Sequence, residues 1–258
     1  MSFATTQALA RHQLFYMDIS IFQLFRVPTG YLRQYSAIFN DMFTLKPQPG
    51  AAAEGESDEM PIKLDGVSKV DFERFLEVIL AAKYTQVEPR KSFGTSHWLS
   101  VLKLANLWGF AYLRQTAITK LSSSSSEALR PVFTATEYVD YGRSYKVEQW
   151  VKQGYAELVS RREKINKAEA ACIGWEAVLK LCHLREDLVG QQGSDANSLG
   201  APAHPTRPRG SISLKESPAL NPAVNTAICQ AFSVELQDIR GAAAALSVPA
   251  PTINVSLP

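Results

Sequence analysis

A chain of 258 residues with 46% hydrophobic and 10% aromatic content holds enough apolar material for one or two packed domains. Its formal charge of +2 generates no field suited to nucleic acid or an anionic membrane surface, and no dense Lys/Arg patch is interleaved with aromatics, so neither is expected as a partner. No run approaches the roughly 20 apolar residues of a membrane-spanning helix, and the early Arg11 precedes no apolar signal segment, so the expectation is a soluble protein of the cytoplasm and/or nucleus.

Residues 1–17 mix small and polar types without a period and read as a flexible N-terminal arm. From Asp18 to Pro28 the chain is rich in β-branched and aromatic residues, which predicts one strand ended by Pro28. Thr29-Gly30 then reads as a turn, and Ser36 as the N-cap of a short helix ending near Leu45, with Ile38, Phe39, Met42 and Phe43 on its apolar face. The stretch Phe25–Phe43 is therefore a strand, turn and helix that must insert into a core supplied by later residues. Residues 46–60 change to Pro, Gly, Ala and acidic types and read as a surface loop.

Ile62 and Leu64 predict a short strand, turned out by Asp65-Gly66. Ser68 and Asp71 are spaced as a cap pair, and Phe72, Phe75, Leu76 and Ile79 follow at i, i+3, i+4 and i+7, which predicts an amphipathic helix with its stripe inside. After a polar connection from Tyr84 to Phe93, a helix starting at Thr95 or Ser96 carries Trp98, Val101, Leu102 and Ala105 and stops at Gly109. Phe110 opens a second helix with Leu113, Ala117 and Leu121, giving an αα-hairpin whose corner residues Trp108 and Phe110 are expected to pack between helices.

The run Ser122–Ser126 is low in complexity and marks a boundary or flexible joint. Beyond it, 127–187 reads as purely helical. Pro131 suits a helix start, with Phe133, Val139 and Tyr141 facing inward. Trp150, Val151, Tyr155, Leu158 and Val159 form one stripe closed by Arg161-Arg162, Asn166 and Glu169 pair as a cap, and Trp175, Val178, Leu179 and Cys182 form another stripe. Eight of the fourteen prolines fall in 190–258, where charges thin out, and this tail reads as mostly disordered, with a transient or partner-induced helix over Ile228–Leu246.

Candidate chemistry is sparse. The odd number of cysteines, Cys172, Cys182 and Cys229, implies no disulfide framework, and with His12, His97, His183 and His204 they match no zinc spacing. Catalysis needs titratable groups converging in a cleft, whereas Asp65, Glu73 and Glu77 have turn or solvated-face explanations, and no phosphate loop or nucleophile elbow is present. No catalytic residue, cofactor or metal ligand is assigned, and an enzyme or small-molecule binder ranks below a binding module.

The ordered series Phe25-x-Val27-Pro28, Leu32, Ser36-x-x-Phe39-x-x-Met42-Phe43, Ile62-x-Leu64, Val70-x-Phe72-x-x-Phe75-Leu76 and Leu102-x-Leu104-Ala105-x-x-Trp108-Gly109-Phe110-x-x-Leu113-x-x-x-Ala117 resembles a BTB/POZ domain, and among these the BTB-domain proteins numerous in basidiomycete fungi. The resemblance covers roughly residues 18–121 and, in that fungal group, continues to about Asp187. It implies an α+β fold, a BTB/POZ-like helical cluster with a small edge sheet followed by an all-α extension.

The function it implies is protein–protein association without chemistry of its own. Such domains commonly homodimerise, and many present targets to cullin-type ubiquitin ligases or serve as transcription-associated scaffolds. Two departures stand out. Pro28 occupies a position where many BTB domains carry His, and Asp18–Val27 leaves room for only one and a half of the family's first two strands, which predicts weakened strand exchange in a family-type dimer. The first expectation is a self-associating module whose outer face on the opening stretch, Tyr31, Arg33, Tyr35 and Asn40, meets a partner or a second subunit. The alternative is a cullin-ligase substrate adaptor contacting its scaffold through Ser36–Leu45 and the Tyr84–Trp98 connection.

Overall fold

The computed structural model describes residues 14–19, 23–45, 54–55, 57–84, 93–127, 132–195 and 222–246. The fold is α-rich, with one small sheet, and the chain divides into two compact units with the boundary between Glu127 and Ala128. No helix among the described residues is long and apolar enough to cross a membrane.

The first unit opens on a hairpin. Strand β1, Leu14–Ile19, pairs antiparallel with β2, Gln23–Pro28, from Leu14↔Pro28 to Ile19↔Gln23, and β3, Ile62–Lys63, joins β1 in parallel through Met17↔Ile62 and Asp18↔Lys63. The sheet order β2-β1-β3 corrects the single-strand expectation. Strand β1 begins four residues before Asp18, inside the segment assigned to a flexible arm. Leu14-Phe15-Tyr16-Met17 has strand-forming side chains but no apolar–polar alternation, so only the six cross-strand pairs reveal it. The hairpin also removes the ground for expecting weakened strand exchange. Residues 1–13 and 20–22 lie outside the described residues.

Thr29-Gly30 is not a free turn but the start of helix α1, Thr29–Tyr35, for which Pro28 is the extended N-cap. One residue, Ser36, then serves two helices. Its extended backbone (φ −134°, ψ 120°) ends α1 by donating its N–H to Leu32 O at 3.1 Å, and begins α2, Ala37–Thr44, where its Oγ accepts the Phe39 N–H at 3.1 Å. That hydroxyl also donates to Trp108 O at 2.6 Å, so a fully buried polar side chain is satisfied on both sides and ties α2 to the later hairpin. Of the 46–60 loop, Gly55 and Met60 close a turn through the Gly55 N–H and Met60 O at 2.6 Å, and residues 46–53 and 56 lie outside the described residues.

Helix α3, Lys69–Tyr84, starts where Ser68 Oγ accepts the Asp71 N–H at 3.1 Å, and buries Phe72, Phe75, Val78 and Ile79 while Leu76 is half-buried. Asp71 accepts from Ser100 Oγ at 2.7 Å and Lys103 Nζ at 2.8 Å, pinning α3 to α4, Thr95–Leu107. Helix α4 ends at Trp108 and Gly109, whose φ of +67° allows Phe110 N–H to reach Ala105 O at 2.9 Å, the six-to-one bond of a Schellman stop. Helix α5, Ala111–Glu127, returns alongside α4. It runs through Ser122–Ser126, so the serine run is helical backbone, and the unit boundary falls just after it.

The core of this unit is aromatic. Trp108 meets Phe39, Phe75 and Phe72 edge-on at centroid distances of 5.3, 5.3 and 5.9 Å, and Phe110 meets Phe75 at 5.2 Å, so the corner residues of the hairpin pack rather than line a pocket. The connection at residues 85–92 lies outside the described residues.

The second unit begins with α6, Ala135–Ser144, under a complete capping box between Thr134 and Glu137, and α7, Glu148–Ser160. A Cβ on Gly154 would sit 2.5 Å from Ala135 O, so only glycine permits this approach of α7 to α6. Phe133 packs on Tyr138, Tyr141 and Trp150, while Pro131 lies outside the described residues. Helix α8, Lys167–Ile173, carries the expected Asn166–Glu169 box, and Arg161 holds the same Glu169 carboxylate at 2.8 and 2.5 Å.

Helix α9, Trp175–Asp195, extends past the expected end at 187 and buries only part of the stripe read from its sequence. Ala177, Val178 and Leu181 are inside and Cys182 is half-buried, but Trp175 and Leu179 are 66% and 59% exposed. Ala177 and Leu181 join Val178 and Cys182 on the packed face, which leaves Trp175 and Leu179 outside it.

The largest correction concerns the tail. Helices α10, Pro222–Ala231, and α11, Ser233–Leu246, are folded, and Val224, Ile228, Phe232, Leu236 and Ile239 are buried in one cluster with Tyr155, Leu158, Ile173 and Leu181. A nascent solvated helix at Ile228–Leu246 is thereby replaced by a packed pair. Residues 196–221 and 247–258 lie outside the described residues.

Candidate functional site

Two surfaces hold the groups that could meet another molecule. On the first unit, Tyr31, Arg33 and Tyr35 belong to α1 and Asn40 to α2. Tyr35 is 47% exposed, and Arg33 and Asn40 are half-buried; the side chain of Tyr31 lies outside the described set. Leu32 and Phe39 are buried and Met42 half-buried beneath them, as expected of the inner face.

Ile38, expected on that inner face, is instead 51% exposed. Consecutive residues of a helix point about 100° apart, so with Phe39 turned into the core its neighbour is carried to the rim. There Ile38 lies beside the α4–α5 corner, its Cδ1 3.6 Å from where a Cβ of Gly109 would stand. Leu107 and Tyr112, which flank that corner in the chain, are exposed, as is Leu45 at the end of α2. Of these, only Ile38 falls in an apolar stripe read from spacing; Leu45, Leu107 and Tyr112 lie outside those stripes, and their exposure is shown by the packing alone.

On the second unit, a cleft of about 680 Å³ opens between α11 and the residues where α6, α8 and α9 meet. Its wall contains a committed cation. Arg143 donates from Nε to Glu235 at 2.7 Å, from one terminal nitrogen to Ile173 O at 2.7 Å, and from the other to Tyr155 Oη at 2.7 Å, while Tyr155 donates to Glu235 at 3.0 Å. Burial works against the Arg143 charge, but the Glu235 hydrogen bond and the neighbouring groups hold its pKa above the ordinary value. Burial likewise drives the Tyr155 phenol well up, outweighing Arg143, so it stays protonated at neutral pH. With every guanidinium nitrogen engaged, the group anchors α11 and is not poised to receive a substrate anion. Among the described residues, no group of three or more His, Cys, Asp or Glu is placed to hold a metal.

A second anchor lies at the start of α7. Arg240 grips Glu148 through two nitrogens at 3.0 and 2.8 Å, and Lys152 adds a contact at 2.6 Å. The Arg240 hydrogen bonds, then those of Lys152, overcome burial and pull the Glu148 carboxyl down to about 2 from its ordinary 4.5. A depressed folded-state pKa contributes stability that is complete above the unfolded value and disappears as pH falls through the folded one. The advantage of the native chain over a Glu148→Gln variant in thermal unfolding is therefore expected to be constant above about pH 5, to shrink between pH 4.5 and 2, and to vanish below.

Compared with family models, with curated proteins and with solved structures, the chain matches none of them.

Proposed function

We propose that the protein is a protein–protein interaction module that self-associates through its first unit, in the manner its resemblance to BTB/POZ domains implies, and that it acts by bringing partner proteins together. The observation that carries the reading is the group of large apolar side chains left in solvent around α2 and the α4–α5 corner. Tyr35, Ile38, Leu45, Leu107 and Tyr112 are exposed above a core that already buries Leu32, Phe39, Trp108 and Phe110. Ile38 stands beside the Gly109 corner that Leu107 and Tyr112 flank in the chain, and exposed tyrosine and aliphatic anchors so placed are the kind that association surfaces bury. Among the described strands, β2 is an edge of the sheet, and an edge strand is a template for pairing with a second copy.

Sedimentation across a dilution series tests this. A mass about twice the 28.5 kDa of one chain is expected at about 100 μM, dissociating on dilution. Ile38→Asp places a charge on an exposed side chain beside the α4–α5 corner, so it is expected to weaken the association by about 2 kcal/mol, roughly 30-fold in Kd. A single-chain mass at every concentration would sink self-association.

A further inference from the structure

The second unit has an internal division that its cluster of buried residues conceals. Helices α6–α9 are continuous in sequence over 135–195 and carry their own locks. These are the two capping boxes, the Arg161–Glu169 pair, and Arg185, which bonds Leu158 O and Glu163 O. None of these involves residues beyond 195. Central α7 buries seven of its thirteen residues, from Trp150 to Val159, whereas α10 and α11 bury one stripe, Val224, Ile228, Phe232, Leu236 and Ile239, and expose the faces between.

That stripe has the one-per-turn spacing of a helix lying in a groove. Its register is set by an aromatic and two charges of opposite sign. Phe232 stacks on Tyr155 with centroids 4.1 Å apart, Glu235 binds Arg143, and Arg240 binds Glu148. The two ion pairs run in opposite directions across the interface and each joins residues 92 apart in the chain. Between Asp195 and Pro222 stand 26 residues (196–221) of connecting chain, enough covalent length to let the pair leave without disturbing α9.

We infer that α6–α9 form a receptor groove for an amphipathic helix, and that α10–α11 is its tethered, exchangeable occupant. The groove's specificity follows from the occupant: an apolar residue on each turn, with an acidic side chain three residues after the aromatic anchor and a basic one eight residues after it. A partner helix of this chemistry enters only by displacing the chain's own segment, whose tether keeps it at an effective concentration on the order of millimolar. The groove is thus closed to weak helical ligands and open to strong ones.

The test severs the tether in the full chain, through a protease recognition sequence with flexible flanks inserted between residues 208 and 209. After cleavage the two pieces are expected to co-elute, and a fluorescent peptide of residues 222–246 to enter the cleaved protein while entering the intact one far less. Unlabelled peptide carrying Phe232→Ala should compete more than about a hundredfold less well than the native peptide. Retention of the original piece with no entry of labelled peptide, or loss of helical signal and precipitation on cleavage, would each show that α10–α11 is an inseparable part of the fold and overturn the inference.

Discussion

Phe232→Ala lowers the stability of the second unit by about 3–5 kcal/mol, the usual loss for a buried aromatic truncated to alanine. The ring is almost wholly enclosed, lies nearly parallel to Tyr155 with an interplanar angle of 24°, and has Lys180 Nζ 5.5 Å from its centroid. Removing it leaves a void against Tyr155, loosens the hinge between α10 and α11, and exposes the Arg143–Glu235 pair to water, where such a pair contributes little. Denaturant unfolding followed by far-ultraviolet circular dichroism measures the effect. A loss under about 1 kcal/mol would mean that α11 does not rest on Tyr155 in solution.

Trp108→Ala is expected to cost the first unit a similar 3–5 kcal/mol, a large part of the total stability of an ordinary domain. Trp108 joins three elements at once, meeting Phe39 of α2 and Phe72 and Phe75 of α3 from the end of α4. Its carbonyl also receives the buried Ser36 hydroxyl, so collapse of the corner would leave that hydroxyl without its acceptor. Trp108→Phe keeps an aromatic edge for these contacts and should lose clearly less in the same unfolding measurement. Equal losses for the two variants would place the importance of the residue elsewhere than in ring packing.

Local chemistry made much of this architecture legible. Ser36, Ser68 and Asn166 cap their helices through their own side chains, and Gly109 stops α4, because each signal lies within a few residues of what it controls. The stripes of α3 and α7 were readable for the same reason. What escaped depends on residues far away in the chain. Leu14–Met17 becomes a strand only by pairing with Phe25–Pro28 of β2, a choice no local alternation announces. Phe232, Leu236 and Ile239 were visible as a helical stripe, but the surface that orders them is built around Tyr155, nearly eighty residues earlier, and a Pro-rich, charge-poor setting pointed to disorder.

The candidate surface divides along the same line. Of the outer face read from the sequence, Tyr35 is exposed while Arg33 and Asn40 are half-buried, and Ile38, read with the apolar face of its helix, lies in solvent. Its exposure follows from the joint at Ser36, which fixes the rotation of α2 by hydrogen-bonding Trp108 and so decides that Phe39 faces inward. That rotation is set by a contact 72 residues away and is invisible to periodicity.

Amide hydrogen exchange on the full chain at two concentrations, about 1 μM and about 100 μM, tests self-association through the first unit most directly. The expected result is added protection at the higher concentration in α1, α2 and the first turns of α5, around Tyr35, Ile38 and Tyr112, with the second unit unchanged. Identical exchange at both concentrations, or protection confined to the second unit, would contradict it.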